Sequence, residues 1–178
     1  GTSPTTASFA IPTTLSASSG TAVVGRGAVL SIGESVSAAF TIAKSTATAT
    51  NFNLATHAGA SNIPTIDGLQ ANLVVHPDPT YYIPRIYNTS GSTQTISLQT
   101  SAPSVNQYKT SLNVSIAANS SVDVDWDSSV YWTTTSAEVI TTNVQVPVGT
   151  TYRWYEFKWW CMEVGANKII FISITRQL

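Results

Sequence analysis

The sequence contains very little charge and only one cysteine, Cys161. Charged residues make up 10% of the 178 residues, whereas about 25% is typical of globular domains. The eight Lys and Arg residues are spread along the chain, and the net charge is −1. This excludes the basic patch that duplex nucleic acid requires. A single cysteine also excludes an internal disulfide, so stability must come from packing or assembly.

Long apolar runs and helical periodicity are missing as well. No segment reaches the ~18 consecutive apolar residues of a membrane-spanning helix, so we expect no membrane insertion. No window combines apolar residues at helical spacing with a cap and a charged opposite face. Disorder is not expected either, because the chain contains five Trp, seven Tyr and five Phe residues.

What the sequence does contain is short alternating runs of Thr, Val, Ile, Tyr and Trp, separated by Gly, Pro, Asn and Ser. This pattern predicts an all-β fold, an antiparallel β-sandwich or jelly roll. A surface rich in hydroxyls and poor in charge favours association between copies. We divide the chain into an extended arm or linker over residues 1–19, an N-terminal β segment over 20–67, and a β-sandwich binding domain over 68–178. The N-terminal β segment can belong to the same domain as 68–178.

Two hairpins are predicted in the middle of the chain. Residues 83–99 form the first, with a turn at 89–92 in which Gly91 takes the left-handed position. Residues 112–126 form the second, with a turn at 117–120. In the second hairpin apolar and polar residues alternate, which predicts one buried and one solvated face.

The terminal hairpin is predicted to differ from these two. Residues 152–175 contain two strands joined by a turn at 164–167, and both strands are apolar at successive positions. Both faces are therefore expected to be covered, either centrally in a sheet or against other subunits. In the first third of the chain, a strand is predicted over 35–43 and a weak, Thr/Ala-rich strand over 45–54.

Catalytic motifs are not found. No Gly-x-Ser-x-Gly elbow occurs, and nothing ties a serine to either histidine and a carboxylate. Cys161 lies inside an apolar run, where a thiol behaves as a small core hydrophobe. We therefore expect that the protein is not an enzyme.

The sequence contains one carboxylate cluster, Asp123, Asp125 and Asp127, which share a face of the predicted strand with neighbours roughly 7 Å apart. Three close carboxylates repel one another unless a cation such as Ca2+ binds them. They are candidate metal ligands, and no other cofactor is expected. The alternative is a solvated polar face that discourages pairing with other chains.

Aromatic residues are concentrated in 152–160, where six of nine positions are aromatic. Strand alternation places Tyr152, Trp154 and Trp160 on one face, and Tyr155, Phe157 and Trp159 on the other. One face must be core, and the other is either an interface or a platform on which sugar rings stack. Plain core and interface packing is the alternative explanation. The candidate ligand-binding residues are Tyr131, Trp132, Arg153, Trp154 and Glu156.

Two stretches of the chain resemble a known family of modules. They are Tyr-Asn-Thr-Ser-Gly-Ser-Thr-Gln-Thr-Ile over 87–96 and Ser-Ile-Ala-Ala-Asn-Ser-Ser-Val-Asp-Val-Asp-Trp over 115–126. The resemblance is to β modules of bacteriophage tail fibres and tailspikes, and it covers residues 70–178. It implies a homotrimeric C-terminal tip on the virion exterior that binds host cell-surface glycan. No motif of the family assigns ligand residues in this chain.

Other functions remain open. A monomeric carbohydrate-binding β-sandwich of a secreted enzyme would use residues 1–19 as its linker. A structural capsid or decoration protein would self-assemble without binding sugar. A hydrolytic tailspike is disfavoured, because glycoside hydrolysis needs two carboxyl groups across a cleft and no such pair stands out.

Overall fold

A computed structural model describes residues 30–47, 52–76, 81–102, 107–124, 130–131 and 138–178 of the chain. They form two short helices, α1 (Lys44–Ala47) and α2 (Leu54–Ala58), and a 3-10 turn at Ala60–Asn62. No helix in these ranges is long and apolar enough to cross a membrane. The strands of these ranges are β1 (Ser35–Ala43), β2 (Thr65–Ile66), β3 (Leu69–Val75), β4 (Tyr81–Asn88), β5 (Gln94–Ala102), β6 (Gln107–Ile116), β7 (Ser120–Asp123), β8 (Val130–Tyr131), β9 (Glu138–Val148), β10 (Thr151–Val164) and β11 (Asn167–Gln177).

The strands assemble into two antiparallel sheets. One has the order β1-β11-β10-β9-β5-β6, and the other has the order β2-β3-β4-β7, with β8 paired to the opposite end of β4. Buried apolar residues from both sheets belong to one hydrophobic core. The arrangement is sandwich-like, and the prediction of an all-β, antiparallel fold is confirmed.

Three of the largest buried side chains of the core lie on β10. Tyr155, Phe157 and Trp159 are buried on the face that points to the second sheet. The indole Nε1 of Trp159 donates a hydrogen bond of 2.8 Å to the backbone oxygen of Asn72 on β3. This bond satisfies the one polar atom of a large buried ring and ties the two sheets together. Cys161 follows on the same face and is fully buried, as predicted for a core residue.

The terminal hairpin is confirmed. Strands β10 and β11 pair along their length up to Val164 opposite Asn167, and Gly165 in the turn has φ +59°. The hairpin lies between β1 and β9, in the middle of the six-stranded sheet. Because both of its edges are already paired within one chain, the backbone of β10 and β11 is satisfied without a neighbouring subunit.

Strand β1 is also confirmed over 35–43, and it extends the six-stranded sheet by pairing with β11. Residues of the N-terminal segment 20–67 thus contribute to the same sheet as the C-terminal strands. The strand predicted over 45–54 is wrong at 45–47, where α1 forms instead, and at Leu54, where α2 begins; residues 48–51 lie outside the described residues. The reason is that β11 begins at Asn167, opposite Ala43, so the chain beyond Ala43 has no partner along β11.

The two hairpins predicted in the middle of the chain are wrong. Strand β4 pairs with β3, β7 and β8, whereas β5 pairs with β6 and β9 in the other sheet. Likewise β6 lies in the six-stranded sheet and β7 in the other. Both turns therefore carry the chain from one sheet to the other. Gly91 does not adopt a positive φ, contrary to the prediction for a hairpin turn.

Asn88, the last residue of β4, links the two turns that cross between the sheets. Its side chain is fully buried, and its Nδ2 donates to the backbone oxygens of Ser92, Ile116 and Ala117 at 2.8, 2.9 and 3.2 Å. Its Oδ1 accepts from the backbone N–H of Ser90 at 2.9 Å. One side chain thus bonds to the backbone of both crossovers and joins them to the end of β4.

Candidate functional site

The candidate site is a shallow groove of about 200 Å3 on the outer face of the six-stranded sheet, which we call the Trp154 groove. Its lining residues come from β5, β6, β9 and β10. They are the amides Gln99, Asn143 and Gln145, the hydroxyls Ser97 and Thr110, and the apolar residues Leu98, Leu112 and Trp154, of which Leu98 is buried.

Strand register brings these residues together in two neighbouring rows. In the first row, Trp154 lies opposite Gln145, and Gln145 lies opposite Ser97. The second row consists of Asn143, Gln99 and Thr110, each opposite the next. The groove therefore runs across the strands. It spans four strands, which is three inter-strand spacings of about 4.8 Å or roughly 14 Å.

Trp154 is exposed because side chains alternate between the two faces of β10. Tyr155 and Phe157 point inward and are buried, so Trp154 points outward, where 39% of its surface is exposed. The sequence left open which face is core, and the structure places Trp154 on the outer face, where a ligand can reach it. Farther along the same face, Trp160 is 2% exposed and packs in a small apolar cluster with Ile169.

A β-bulge forms the opposite wall of the groove. Pairing between β5 and β6 shifts after Ile96, so that Leu112 and Asn113 together oppose Ser97. The backbone N–H of Asn113 donates to Ser97 Oγ at 3.0 Å, and Asn113 has a φ of 53°. Bulges re-aim side chains, and here Leu112 is left 71% exposed at the groove.

Glu156 lies beside the groove and is already paired. It is opposite Asn143 in the register, and its Oε1 lies 3.4 Å from Nζ of Lys158. Both side chains are largely buried, with exposed fractions of 19% and 17%. The ion pair separates the Trp154 groove from the apolar cluster around Trp160, and the groove lining itself is uncharged.

Arg153 lies on the other face of β10, away from the groove. Its Nη1 contacts both carboxylate oxygens of Asp67 at 3.0 Å, and the hydroxyl of Tyr155 donates to the same carboxylate at 2.5 Å. The hydrogen bond to Asp67 raises the pKa of Arg153. Burial, followed by the bond to Asp67, raises the pKa of Tyr155. Because Asp67 precedes β3, this cluster clamps the two sheets together.

The predicted carboxylate cluster is only partly within the described residues. Asp123 ends β7 and receives a hydrogen bond of 2.6 Å from Nε of Arg85. Asp125 and Asp127 lie outside the described residues, as does Trp132. Tyr131 pairs with Tyr81 through β8, and its side chain also lies outside them. In the ranges the structure covers, no three His, Cys, Asp or Glu residues are placed to hold a metal ion.

A buried lysine lies at the other end of the six-stranded sheet. Lys168 has no exposed side-chain surface, and its Nζ donates to Oε1 of Glu163 at 2.8 Å, while Lys44 lies 3.5 Å from the same carboxylate. Burial lowers the pKa of Lys168, and its hydrogen bond to Glu163 lowers the pKa of Glu163. Burial also raises the pKa of the nearby Cys161 thiol, which keeps it protonated.

Sequence reasoning identified Trp154 but missed its partners. The polar residues Asn143 and Gln145 alternate with the buried Val144, a pattern readable in the sequence as one polar face. What it cannot show is that β9 lies between β5 and β10. Together the lining offers one aromatic face, several neutral donors and acceptors, and no charge, which suits a neutral hydroxylated ligand. Searches against family models, curated proteins and solved structures found no match to this chain.

Proposed function

We propose that this chain is a non-catalytic glycan-binding domain. In this proposal it is the receptor-binding tip of a viral fibre and attaches the fibre to glycan on the host cell surface. The observation that carries the proposal is the Trp154 groove. Its lining contains no carboxylate, imidazole, amine or thiol. Such a site can hold a ligand but offers no pair of groups for general acid and base catalysis.

The chemistry of a sugar ring supports glycan as the ligand class. The C–H face of a pyranose stacks on an aromatic ring such as Trp154, and its hydroxyls both donate and accept hydrogen bonds. The side chains of Gln99, Asn143 and Gln145 each offer a carbonyl acceptor and an NH2 donor, which is the matching set. The open, elongated shape across four strands fits a short stretch of oligosaccharide chain.

Trp154→Ala tests the groove directly on an array of host-type glycans. Removal of a central aromatic contact typically costs 2 kcal/mol or more, so we expect the affinity for the selected glycan to fall about 30-fold. Tyr152→Ala is the matched control, because Tyr152 lies on the same face of β10, is 56% exposed and does not line the groove. Equal loss in both variants, or no glycan bound by the unaltered protein, contradicts the proposal.

The fibre-tip part of the proposal rests on the turn motifs at 87–96 and 115–126, which resemble those of phage fibre modules. It predicts a homotrimer. Light scattering on a sizing column measures the mass in solution, and a mass of three chains that persists on dilution supports the trimer. The groove and the glycan specificity are tested separately from this measurement.

A monomeric carbohydrate-binding module is the second candidate, and one observation favours it. Strands β10 and β11 were expected either centrally in a sheet or against other subunits, and both are paired on both edges within one chain. The sheet thus needs no neighbour to be complete. A monomeric mass combined with glycan binding that depends on Trp154 would select this candidate over the fibre tip.

A further inference from the structure

The second sheet also carries a polar pocket on its outer face. We call it the α2 pocket, because it lies between the α2 segment and strands β3 and β4. It has a volume of about 400 Å3, within the usual range for small-molecule sites of roughly 300–1,000 Å3. The lining residues used below are Asn53, Thr56, Ala60, Gln70, Asn72 and Tyr87.

The floor of the α2 pocket is made of buried amides. Gln70 and Asn72 point away from the core, since their neighbours Leu69 and Ala71 are the core residues of β3. Amides on an outer sheet face are ordinarily solvated, but these two are only 3% and 2% exposed. They are covered because the α2 segment folds over them.

Side-chain hydrogen bonds hold the α2 segment in this position. Asn72 Oδ1 accepts from the backbone N–H of Ala55 at 3.0 Å, and Asn72 Nδ2 donates to Asn53 Oδ1 at 3.1 Å. At the other end, Gln70 Nε2 donates to the backbone oxygen of Ala60 at 3.2 Å. Hydrogen bonds thus hold both ends of the pocket in place without a ligand. This lowers the conformational entropy that is lost when a ligand binds.

Tyr87 provides an aromatic wall. It lies directly opposite Gln70 in the register of β3 and β4. Its hydroxyl donates to the backbone oxygen of Asn119 at 3.0 Å, which fixes the ring beside the pocket. One aromatic ring beside neutral amides and a threonine hydroxyl is the same chemistry as in the Trp154 groove, and the lining again contains no charged side chain.

From this match we propose that the α2 pocket is a second saccharide site, so that each chain binds neutral glycan on both outer faces of the sandwich. The inference rests on the proposed glycan-binding function for its ligand class. Its geometry is independent, because the Trp154 groove belongs to the six-stranded sheet and the α2 pocket to the other. Two sites facing opposite directions allow one domain to bridge two glycan chains and to gain avidity on a dense surface.

The stoichiometry of binding per chain tests this inference. Short neutral oligomers of glucose, mannose, galactose and N-acetylglucosamine are titrated by calorimetry into the unaltered protein, Trp154→Ala, Ala60→Trp and the double variant. Ala60 is exposed at the mouth of the pocket, so a tryptophan there blocks entry, and Ala60→Ser is its matched control. We expect two sites per chain, one in each single variant, and binding at least roughly tenfold weaker at the blocked site.

Each outcome separates this inference from the proposed function. A single site that Trp154→Ala abolishes and Ala60→Trp leaves intact overturns the second site but keeps the groove. A single site lost only in Ala60→Trp keeps the α2 pocket and overturns the groove. No binding by the unaltered protein overturns both. If Ala60→Trp loses its fold by circular dichroism, Thr56→Arg blocks the same mouth from an exposed position.

Discussion

Asn88 is the residue whose loss should most directly uncouple the two sheets. Asn88→Ala removes three donated hydrogen bonds and leaves the backbone oxygen of Ile116 without its buried partner. A typical hydrogen bond contributes about 1 kcal/mol net, and an unsatisfied buried group costs about 1–3 kcal/mol. We therefore expect a loss of about 3 kcal/mol in the free energy of unfolding, which lowers Tm by roughly 6–12 °C in a chain of this size.

Urea unfolding followed by tryptophan fluorescence measures this loss, because the chain has five Trp residues. Asn167→Ala is the matched control: Asn167 is exposed at the start of β11, so its replacement should change stability by no more than about 0.5 kcal/mol. Asn88→Asp sharpens the test, because it keeps the shape but turns the NH2 donor into an acceptor facing three backbone oxygens. It should destabilise the protein more than Asn88→Ala at neutral pH.

A cost below about 1 kcal/mol for Asn88→Ala, the size of one typical net hydrogen bond, would refute this role of Asn88. That result would mean that the turns at 89–92 and 117–120 hold the crossovers by backbone geometry alone. A loss of the expected size in Asn88→Ala, with Asn88→Asp no worse, would mean that shape and not donor chemistry is what the site requires.

Three further predictions follow from the charged and titrating groups. Because the pKa of Tyr155 is raised, its stabilising contribution is complete below the ordinary tyrosine pKa of about 10 and is lost as the pH rises above that value. In Tyr155→Phe the free energy of unfolding, measured from urea midpoints, should therefore fall less steeply with pH in that range. The pKa of Glu163 is lowered, so its contribution to stability is present above pH about 4.3 and is lost as the pH falls. Glu163→Gln leaves the buried Lys168 without its closest partner and should cost about 3 kcal/mol in the free energy of unfolding at neutral pH. The free energy of unfolding of this variant should also fall less steeply at acid pH. Since the Trp154 groove has no charged lining residue, its glycan affinity should be nearly unchanged by added salt, and a steep fall with ionic strength in calorimetry would indicate an acidic ligand held elsewhere.

The sequence predicts the parts of the fold that depend on local pattern. Alternation along 152–160 correctly assigned Tyr155, Phe157 and Trp159 to one face and Trp154 to the other, because burial on one side of a strand leaves a period of two in the residues themselves. The terminal hairpin is also predicted from local pattern, because two runs that are apolar at successive positions flank the turn at 164–167. Such strands lie either centrally in a sheet or against other subunits, and the structure places them centrally.

Strand pairing is the part that the sequence does not predict. Turn residues such as those at 89–92 occur in hairpins and in crossovers. The contacts that join this crossover to the next one run from Asn88 to Ile116 and Ala117, about thirty positions away along the chain. The Trp154 groove has the same limitation. Its amides come from strands separated by long stretches of sequence, so only the register of the assembled sheet brings them to one place.

The few charged residues of this chain are used mainly in ion pairs between structural elements. Arg153 of β10 is bound to the part-buried Asp67 that precedes β3, Arg85 to Asp123 at the rim, and Lys168 to Glu163 at the end of the sheet. In the described part of the chain, these charges tie strands to one another and do not line either pocket. A surface built in this way leaves hydroxyls and amides as the groups that meet a ligand, and such groups recognise neutral, hydroxylated molecules. The same composition that predicts no basic patch for duplex nucleic acid is thus in keeping with the neutral glycan ligand proposed for both faces.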